Sequence, residues 1–140
     1  VRQENGVEVG MMRIPVTITN DSGKPLYHQI KEQLRAMILS RHLPEGMLLP
    51  SIREFAADLS CSVITIRRVY QDLEQEGLLY TRQGTGTFVA RVSEEERERF
   101  RNVAVYEAFR QAVETGRQVQ CSSDEMRSIL DELLQETEPN

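Results

Sequence analysis

At 140 residues, with 39% apolar side chains and no tryptophan, the chain has room for one domain with its own core and a modest appendage, but not for a second large ligand-sensing domain. No apolar run approaches the roughly 18 residues of a membrane span, so the sequence reads as soluble, with no membrane partner. The net charge of −5 divides into −1 over residues 1–23, +2 over 24–92 and −6 over 93–140, and phosphates respond to charge within a Debye length of about 8–10 Å, so an acidic whole does not exclude a nucleic-acid-binding centre.

Residues 1–10 precede the first patterned segment and are set aside as a tag remnant or upstream extension. Ile14, Val16 and Ile18 alternate with Thr17 and Thr19 and predict a short strand, closed by the turn residues of 20–25. From Pro25 the period changes to helical, with Ile30, Leu34, Met37, Ile38 and Arg41 spaced by three and four up to about His42, ahead of Pro44 and Gly46. Tyr27 and His28 read as packing and surface residues of that strut.

Ser51 and Glu54 form an S-x-x-E capping box opening a short helix that buries Ile52, Phe55, Ala56 and Leu59. The three-residue turn Ser60-Cys61-Ser62 forces a steep crossing into a second helix, about 62–76. Its apolar face is Ile66, Val69, Tyr70 and Leu73; Ile64, Arg68 and Gln71 lie opposite, with Thr65 and Arg67 on the flanks. Arg matches guanine O6/N7, Gln matches adenine and an apolar side chain meets a thymine methyl, so this outer face suits a DNA groove better than bulk water. Gly77 stops the helix; strands are expected at 78–82 and 87–90 around a Gln83-Gly84-Thr85-Gly86 bend. No helix and no GK[ST] follow the glycines, so they read as a β-wing tip that, with Arg82 or Gln83, reaches the DNA backbone or minor groove.

Beyond the wing, Ser93/Glu96 and Ser122/Glu125 are two more capping boxes. The first opens a helix with a stripe of Phe100, Val103, Tyr106, Phe109, Ala112 and Val113, expected to stop at Gly116; the second carries Met126, Ile129, Leu130, Leu133 and Leu134. A two-helix hairpin covers only part of such stripes, and burial contributes about 25 cal/mol per Å². The expected partner is a second copy, joined through Phe100, Val103, Tyr106, Phe109, Met126, Ile129, Leu130, Leu133 and Leu134. The fold class is thus mainly α with a small β-wing: a winged helix-turn-helix at 24–92 followed by a C-terminal α-helical hairpin at 93–140, after an N-terminal extension at 1–23.

The segment 25–90 resembles the DNA-binding domain of the GntR family of bacterial transcription regulators. The matching pieces are Pro25 to Ile30 (PLYHQI), Leu49 to Ala56 (LPSIREFA), Thr65-Ile66, Leu73 to Leu79 (LEQEGLL) and Gln83 to Val89 (QGTGTFV). The resemblance implies DNA contacts by Arg53, Ser62, Thr65, Arg67, Gln83 and Gly84. Many members place Arg directly after the helix-capping Ser or Thr, where this chain has Val63, which removes one expected contact and leaves Arg68 to change the readout. The short two-helix tail is similar in length and organisation to the YtrA-like subgroup.

Joined with the residue-level reading, the candidate DNA-binding set is Ser51, Arg53, Ser62, Ile64, Thr65, Arg67, Arg68, Gln71, Arg82, Gln83, Gly84, Thr85 and Gly86. The expected function is a dimeric, sequence-specific transcription regulator, chiefly a repressor, on a palindromic double-stranded DNA operator. The alternative is a protein-interaction winged helix working through its acidic hairpin. Cys61 and Cys121 have no CxxC spacing, no His partners and no signal peptide before them, so a reduced, cytoplasmic protein without metal or other cofactor is expected. Cys61 reads as a small buried hydrophobe and no nucleophile, general base and orienting group converge in one motif, so no enzyme is expected. A small-molecule effector would be of unknown identity, since the residues after the wing hold no pocket signature.

Overall fold

The structure is a computed structural model that describes residues 14–20 and 23–138. The candidate extension 1–10 and Asp21-Ser22 of the first turn lie outside the described residues. The order of elements is α1 (Leu26–Leu39), α2 (Ile52–Leu59), α3 (Val63–Gln75), β1 (Leu79–Arg82), β2 (Gly86–Val89), α4 (Glu94–Gln118) and α5 (Ser123–Glu136). The chain divides into two compact units, one up to Arg97 and one from Glu98 onward.

In the first unit, α1 presents Ile30, Leu34 and Ile38, one residue per helical turn, to Ile66, Val69 and Leu73 of α3, and all six are buried. Two ion pairs flank that seam: Lys31 Nζ lies 3.3 Å from Asp72, and Arg35 forks onto Glu76 at 3.0 and 2.8 Å. α1 is shorter than its periodicity, ending at Leu39, and Arg41 takes a left-handed φ of 67° outside it.

Residues 14–20 form no strand. The backbone polar groups that a strand would pair are taken by glutamines of α1: Gln33 accepts from Thr17 N–H at 2.8 Å and donates to its carbonyl at 2.6 Å, and Gln29 does the same for Thr19 at 2.9 Å each way. Ile14 is buried. The alternating pattern thus serves an extended segment strapped to a helix rather than to a sheet.

The Ser51 capping box forms fully, with Glu54 N–H on Ser51 Oγ at 3.1 Å and Ser51 N–H on Glu54 Oε1 at 2.9 Å. Phe55 and Ala56 of α2 are buried, whereas Ile52 and Leu59 are only half-buried. The turn to α3 closes with Ser60 at φ 53°, Cys61 N–H bonding the Ala56 carbonyl and Ser60 N–H the Ala57 carbonyl, a Schellman closure on a residue other than glycine. Cys61 is half-buried rather than fully enclosed, and burial pushes its thiol up, away from the reactive thiolate. α3 ends in the same motif, now on Gly77 at φ 82°, with Leu78 N–H on the Leu73 carbonyl and Gly77 N–H on that of Glu74.

β1 and β2 pair antiparallel, Leu79 with Val89 through Arg82 with Gly86. The segment before α2 continues this ladder: Gly46 N–H bonds the Val89 carbonyl at 2.8 Å, Val89 N–H that of Met47 at 2.9 Å, and Leu49 N–H that of Thr87 at 2.9 Å. The wing therefore has a third, short strand-like edge at 46–49, which hydrophobic patterning around Pro44 and Gly46 did not disclose.

Arg97 anchors the first turn of α4 within this unit, donating from Nη1 to the Ile38 and Leu39 carbonyls at 3.2 and 2.6 Å and from Nη2 to the Val92 carbonyl at 3.3 Å. It thereby caps the C-terminus of α1, and the division between units falls just after it. The Ser93/Glu96 box is half formed: Glu96 N–H bonds Ser93 Oγ at 3.1 Å, but the Glu96 carboxylate takes the Ser93 hydroxyl instead of its backbone N–H.

In the second unit, α4 does not stop at Gly116. The helix continues to Gln118 and closes through Cys121 N–H on the Gly116 carbonyl at 2.8 Å, with Gln120 at φ 61° in the left-handed position. Gly116 has another use, since a Cβ there would stand 2.5 Å from Met126 Sδ, so it lets α4 and α5 approach. The Ser122/Glu125 box is complete. Neither helix buries a single side chain: Val103, Tyr106, Phe109, Ile129, Leu133 and Leu134 are exposed, and Phe100, Met126 and Leu130 half-buried. Phe109, Met126, Ile129, Leu130 and Leu133 line a groove of about 520 Å³ between the helices, while Phe100, Val103, Tyr106 and Leu134 stand outside it.

Candidate nucleic-acid interface

Tyr70 of α3 fixes how the chain enters α2. Its ring stacks on Phe55 with centroids 6.1 Å apart, and its hydroxyl donates to the Pro50 carbonyl at 2.8 Å. Burial, with a smaller contribution from the Glu54 charge, pushes the phenol pKa far up, so the hydroxyl stays a donor. One residue further, the capping box holds Ser51, and the Ser51 hydrogen bonds keep the Glu54 carboxyl below its ordinary range. Arg53 therefore leaves the first turn of α2 from a fixed root, and it is exposed.

At the start of α3, Ser62 Oγ accepts from Thr65 N–H at 3.1 Å, and the two hydroxyl oxygens are 2.8 Å apart. Both side chains are thus partly committed to capping. Ile64 is 74% exposed, a strong departure for an aliphatic side chain, and Arg67, Arg68 and Gln71 are exposed with it. Val63 is half-buried and lines the cleft toward the wing.

The wing tip is the three-residue turn Gln83-Gly84-Thr85, closed by Thr85 N–H on the Arg82 carbonyl at 2.9 Å, with Gly84 at φ 81°. Gly86 adopts φ 139°, and a Cβ there would come within 2.7 Å of Leu48 Cδ1, so only glycine fits this corner. Tyr80 and Phe88 stack across the strands at 5.4 Å, and Arg82 stands 6.0 Å from the Tyr80 ring.

A cleft of about 1030 Å³ brings part of the candidate set together, with Ser51, Arg53 and Arg67 on the helix side and Thr85 and Gly86 on the wing side. Ile64, Thr65, Arg68 and Gln71 do not line this cleft, and Arg82, Gln83 and Gly84 are exposed at the tip. Among the described residues, Arg53, Arg67, Arg68, Arg82 and Arg91 make no hydrogen bond or ion pair with another side chain, whereas Lys31, Arg35, Arg41 and Arg97 each face a carboxylate. Among the described residues of the first unit, the arginines without such a partner thus fall in 53–91. Arg91 was not among the sequence-derived candidates, because no motif marks it.

Among the described residues no group of three His, Cys, Asp or Glu is placed to hold a metal, and no helix is long and apolar enough to cross a membrane.

Residues 26–89 match the family described as bacterial regulatory proteins, gntR family. The transcriptional repressor NagR of Bacillus subtilis is 42% identical over 76 residues, covering 54% of this chain and 31% of that repressor. The chain spans at most three fifths of the first curated relatives it matches. Among solved structures, YtrA from Sulfolobus acidocaldarius, a GntR-family transcription factor, is 29% identical with a TM-score of 0.54, over 67% of this chain and 96% of that one. A transcriptional antiterminator from Listeria monocytogenes EGD-e aligns with a TM-score of 0.69 over 91% of this chain and 95% of that one; at 24% identity it speaks for the fold. Residues 26–89 of this chain are a winged helix-turn-helix DNA-binding domain of the gntR family of bacterial regulatory proteins.

Proposed function

We propose that the protein is a sequence-specific transcriptional repressor that binds double-stranded DNA as a homodimer. Residues 24–92 serve as the reader and 93–140 as the dimerisation region, with DNA covering α3 and the wing. The observation that carries the reading is the segregation of charge: five arginines between Arg53 and Arg91 keep their charge unspent, while the other described cations of the unit are neutralised by carboxylates or by helix carbonyls. Exposed cations without carboxylate partners on α2, α3 and the wing, Arg53 and Arg67 of them lining one cleft, are what phosphate contacts require, and the exposed Ile64 and Gln71 suit base edges. The repressor name of the Bacillus subtilis relative supports the direction of regulation.

The exposed stripes of α4 and α5 support dimerisation, since a two-fold pair presents two reading helices to half-sites about 34 Å apart. Arg53, Arg67 and Arg82 contact phosphates; Ile64, Thr65 and Gln71 meet base edges; Gln83, Gly84, Thr85 and Gly86 shape the wing contact. Ser51 and Ser62 act through the caps they form. A cytoplasmic location follows from this work on DNA. The groove between α4 and α5 has the size and apolar lining for a small effector.

The test is a gel-shift titration of the purified protein on its own promoter region at about 150 mM salt, against a random duplex of equal length, with mass photometry of the free protein. Preference for the promoter by a dimer is expected. Equal affinity for both duplexes rules the reading out. A monomer that associates only with a different protein would favour the alternative, an interaction module built on the acidic hairpin, whose region 93–140 carries −6.

A further inference from the structure

We infer that Tyr27 is a positioning residue of the DNA interface: its ring holds the Arg68 guanidinium flat without neutralising it, so that Arg68 meets a DNA phosphate already oriented. This rests on the DNA-binding reading above. Arg68 Cζ lies 3.6 Å from the Tyr27 ring centroid, a close cation–π stack between the first turn of α1 and the outer face of α3. Three cations sit along the α1–α3 seam, and they are treated differently. Lys31 is spent on Asp72 and Arg35 on Glu76. Lys31 Nζ also stands over the Tyr27 ring, at 5.5 Å from its centroid, but Arg68 lies closer and alone of these three makes no hydrogen bond or ion pair among the described residues.

Stacking engages the face of a guanidinium and leaves the five N–H donors on its edge free, whereas a carboxylate partner would consume both charge and donors. It also restricts a long, rotamer-rich side chain before the ligand arrives, which lowers the ordering cost of binding. Arg68 is exposed, on the same outer face as Ile64 and Gln71, so the oriented edge faces the proposed ligand. With Val63 opening α3, a cation fixed five residues further along supplies a phosphate contact.

The probe is a duplex enriched by the wild-type chain from a random pool, with affinity measured by fluorescence anisotropy across salt for wild type, Arg68→Ala, Tyr27→Phe, Tyr27→Leu and Tyr27→Leu/Arg68→Ala. Arg68→Ala should make the slope of log K against log salt shallower by about 0.9 per half-site, the signature of a lost phosphate contact. Tyr27→Leu should weaken binding about 2- to 5-fold per half-site, Tyr27→Phe should stay within about twofold of wild type, and the double variant should bind no worse than Arg68→Ala. An unchanged slope in Arg68→Ala overturns the inference while leaving the DNA-binding function standing, as does a double variant whose losses multiply. If Tyr27→Leu fails to fold, an unchanged slope in Arg68→Ala still overturns the inference. A wild-type chain that enriches no duplex overturns the function and this inference together.

Discussion

Replacing Tyr70 by Phe tests the contact that sets the geometry of the reader. The substitution keeps the ring, its stack on Phe55 and its burial, and removes only the hydroxyl that donates to the Pro50 carbonyl at 2.8 Å. A neutral hydrogen bond contributes about 0.5–1.5 kcal/mol net, and a buried carbonyl left without its partner costs about 1–3 kcal/mol. Pro50 is buried, so the expected loss is about 1–3 kcal/mol, or a fall of about 4–15 °C in the melting temperature of a domain of this size. Thermal unfolding followed by circular dichroism reads it. The same hydroxyl gives an alkaline signature. Because its pKa is raised in the folded state, Tyr70 contributes stability that is fully present below the unfolded value of about 10 and is lost as pH rises beyond it. Wild type should therefore lose stability above about pH 10 more steeply than Tyr70→Phe. Equal melting temperatures and parallel alkaline limbs would refute the contact and, with it, the view that α3 orients the start of α2.

Arg53→Ala should leave the melting temperature within about 1 °C of wild type and weaken duplex binding by about 1 kcal/mol per half-site with a shallower salt dependence; unchanged affinity would remove Arg53 from the interface. Gly86→Ala should cost about 1–3 kcal/mol in urea unfolding, because φ 139° and the approach to Leu48 both exclude a Cβ, whereas Gly84→Asn at φ 81° in open space should cost under about 1 kcal/mol; equal losses would contradict the distinction. The depressed Glu54 carboxyl contributes stability that is present above its unfolded value and is lost as pH falls through the lowered folded pKa. Wild type should thus lose stability on acidification more steeply than Ser51→Ala, and parallel melting curves between about pH 3 and 6 would show that the box does not act in solution.

The helices of the reader were legible because each carries its own start signal and period. Ser51 and Ser62 cap as their spacing indicates, Gly77 stops α3, and Ile66, Val69, Tyr70 and Leu73 are buried as the 3.6-residue period requires. What escaped depended on pairing between distant segments. The edge at 46–49 owes its conformation to β2, some 40 residues later, and nothing within Gly46-Met47-Leu48-Leu49 announces it. The alternation at 14–18 is satisfied by glutamine side chains, which a binary pattern scores only as polar. Gly116 looked like a helix terminator, but its missing side chain makes room for Met126, a reason visible only once α5 is in place.

The candidate site divides along the same line. Helix periodicity put Ile64, Arg68 and Gln71 on the outer face and Arg67 on its flank, and all four are exposed. It did not distinguish arginines that keep their charge from those that lose it, since that depends on which carboxylates stand opposite. Nor did it relate Tyr27 to Arg68, 41 positions apart and in contact only because α1 crosses α3.

Hydroxyl-radical footprinting of the wild-type chain on its own promoter region tests the central claim most directly, because it reads both the groove and the pairing of copies. Two protected tracts related by a dyad and centred about one helical turn, roughly 34 Å, apart are expected, with Arg67→Ala weakening both equally. A single protected tract without a dyad, or uniform protection with no preferred position, would contradict a paired, sequence-specific reader.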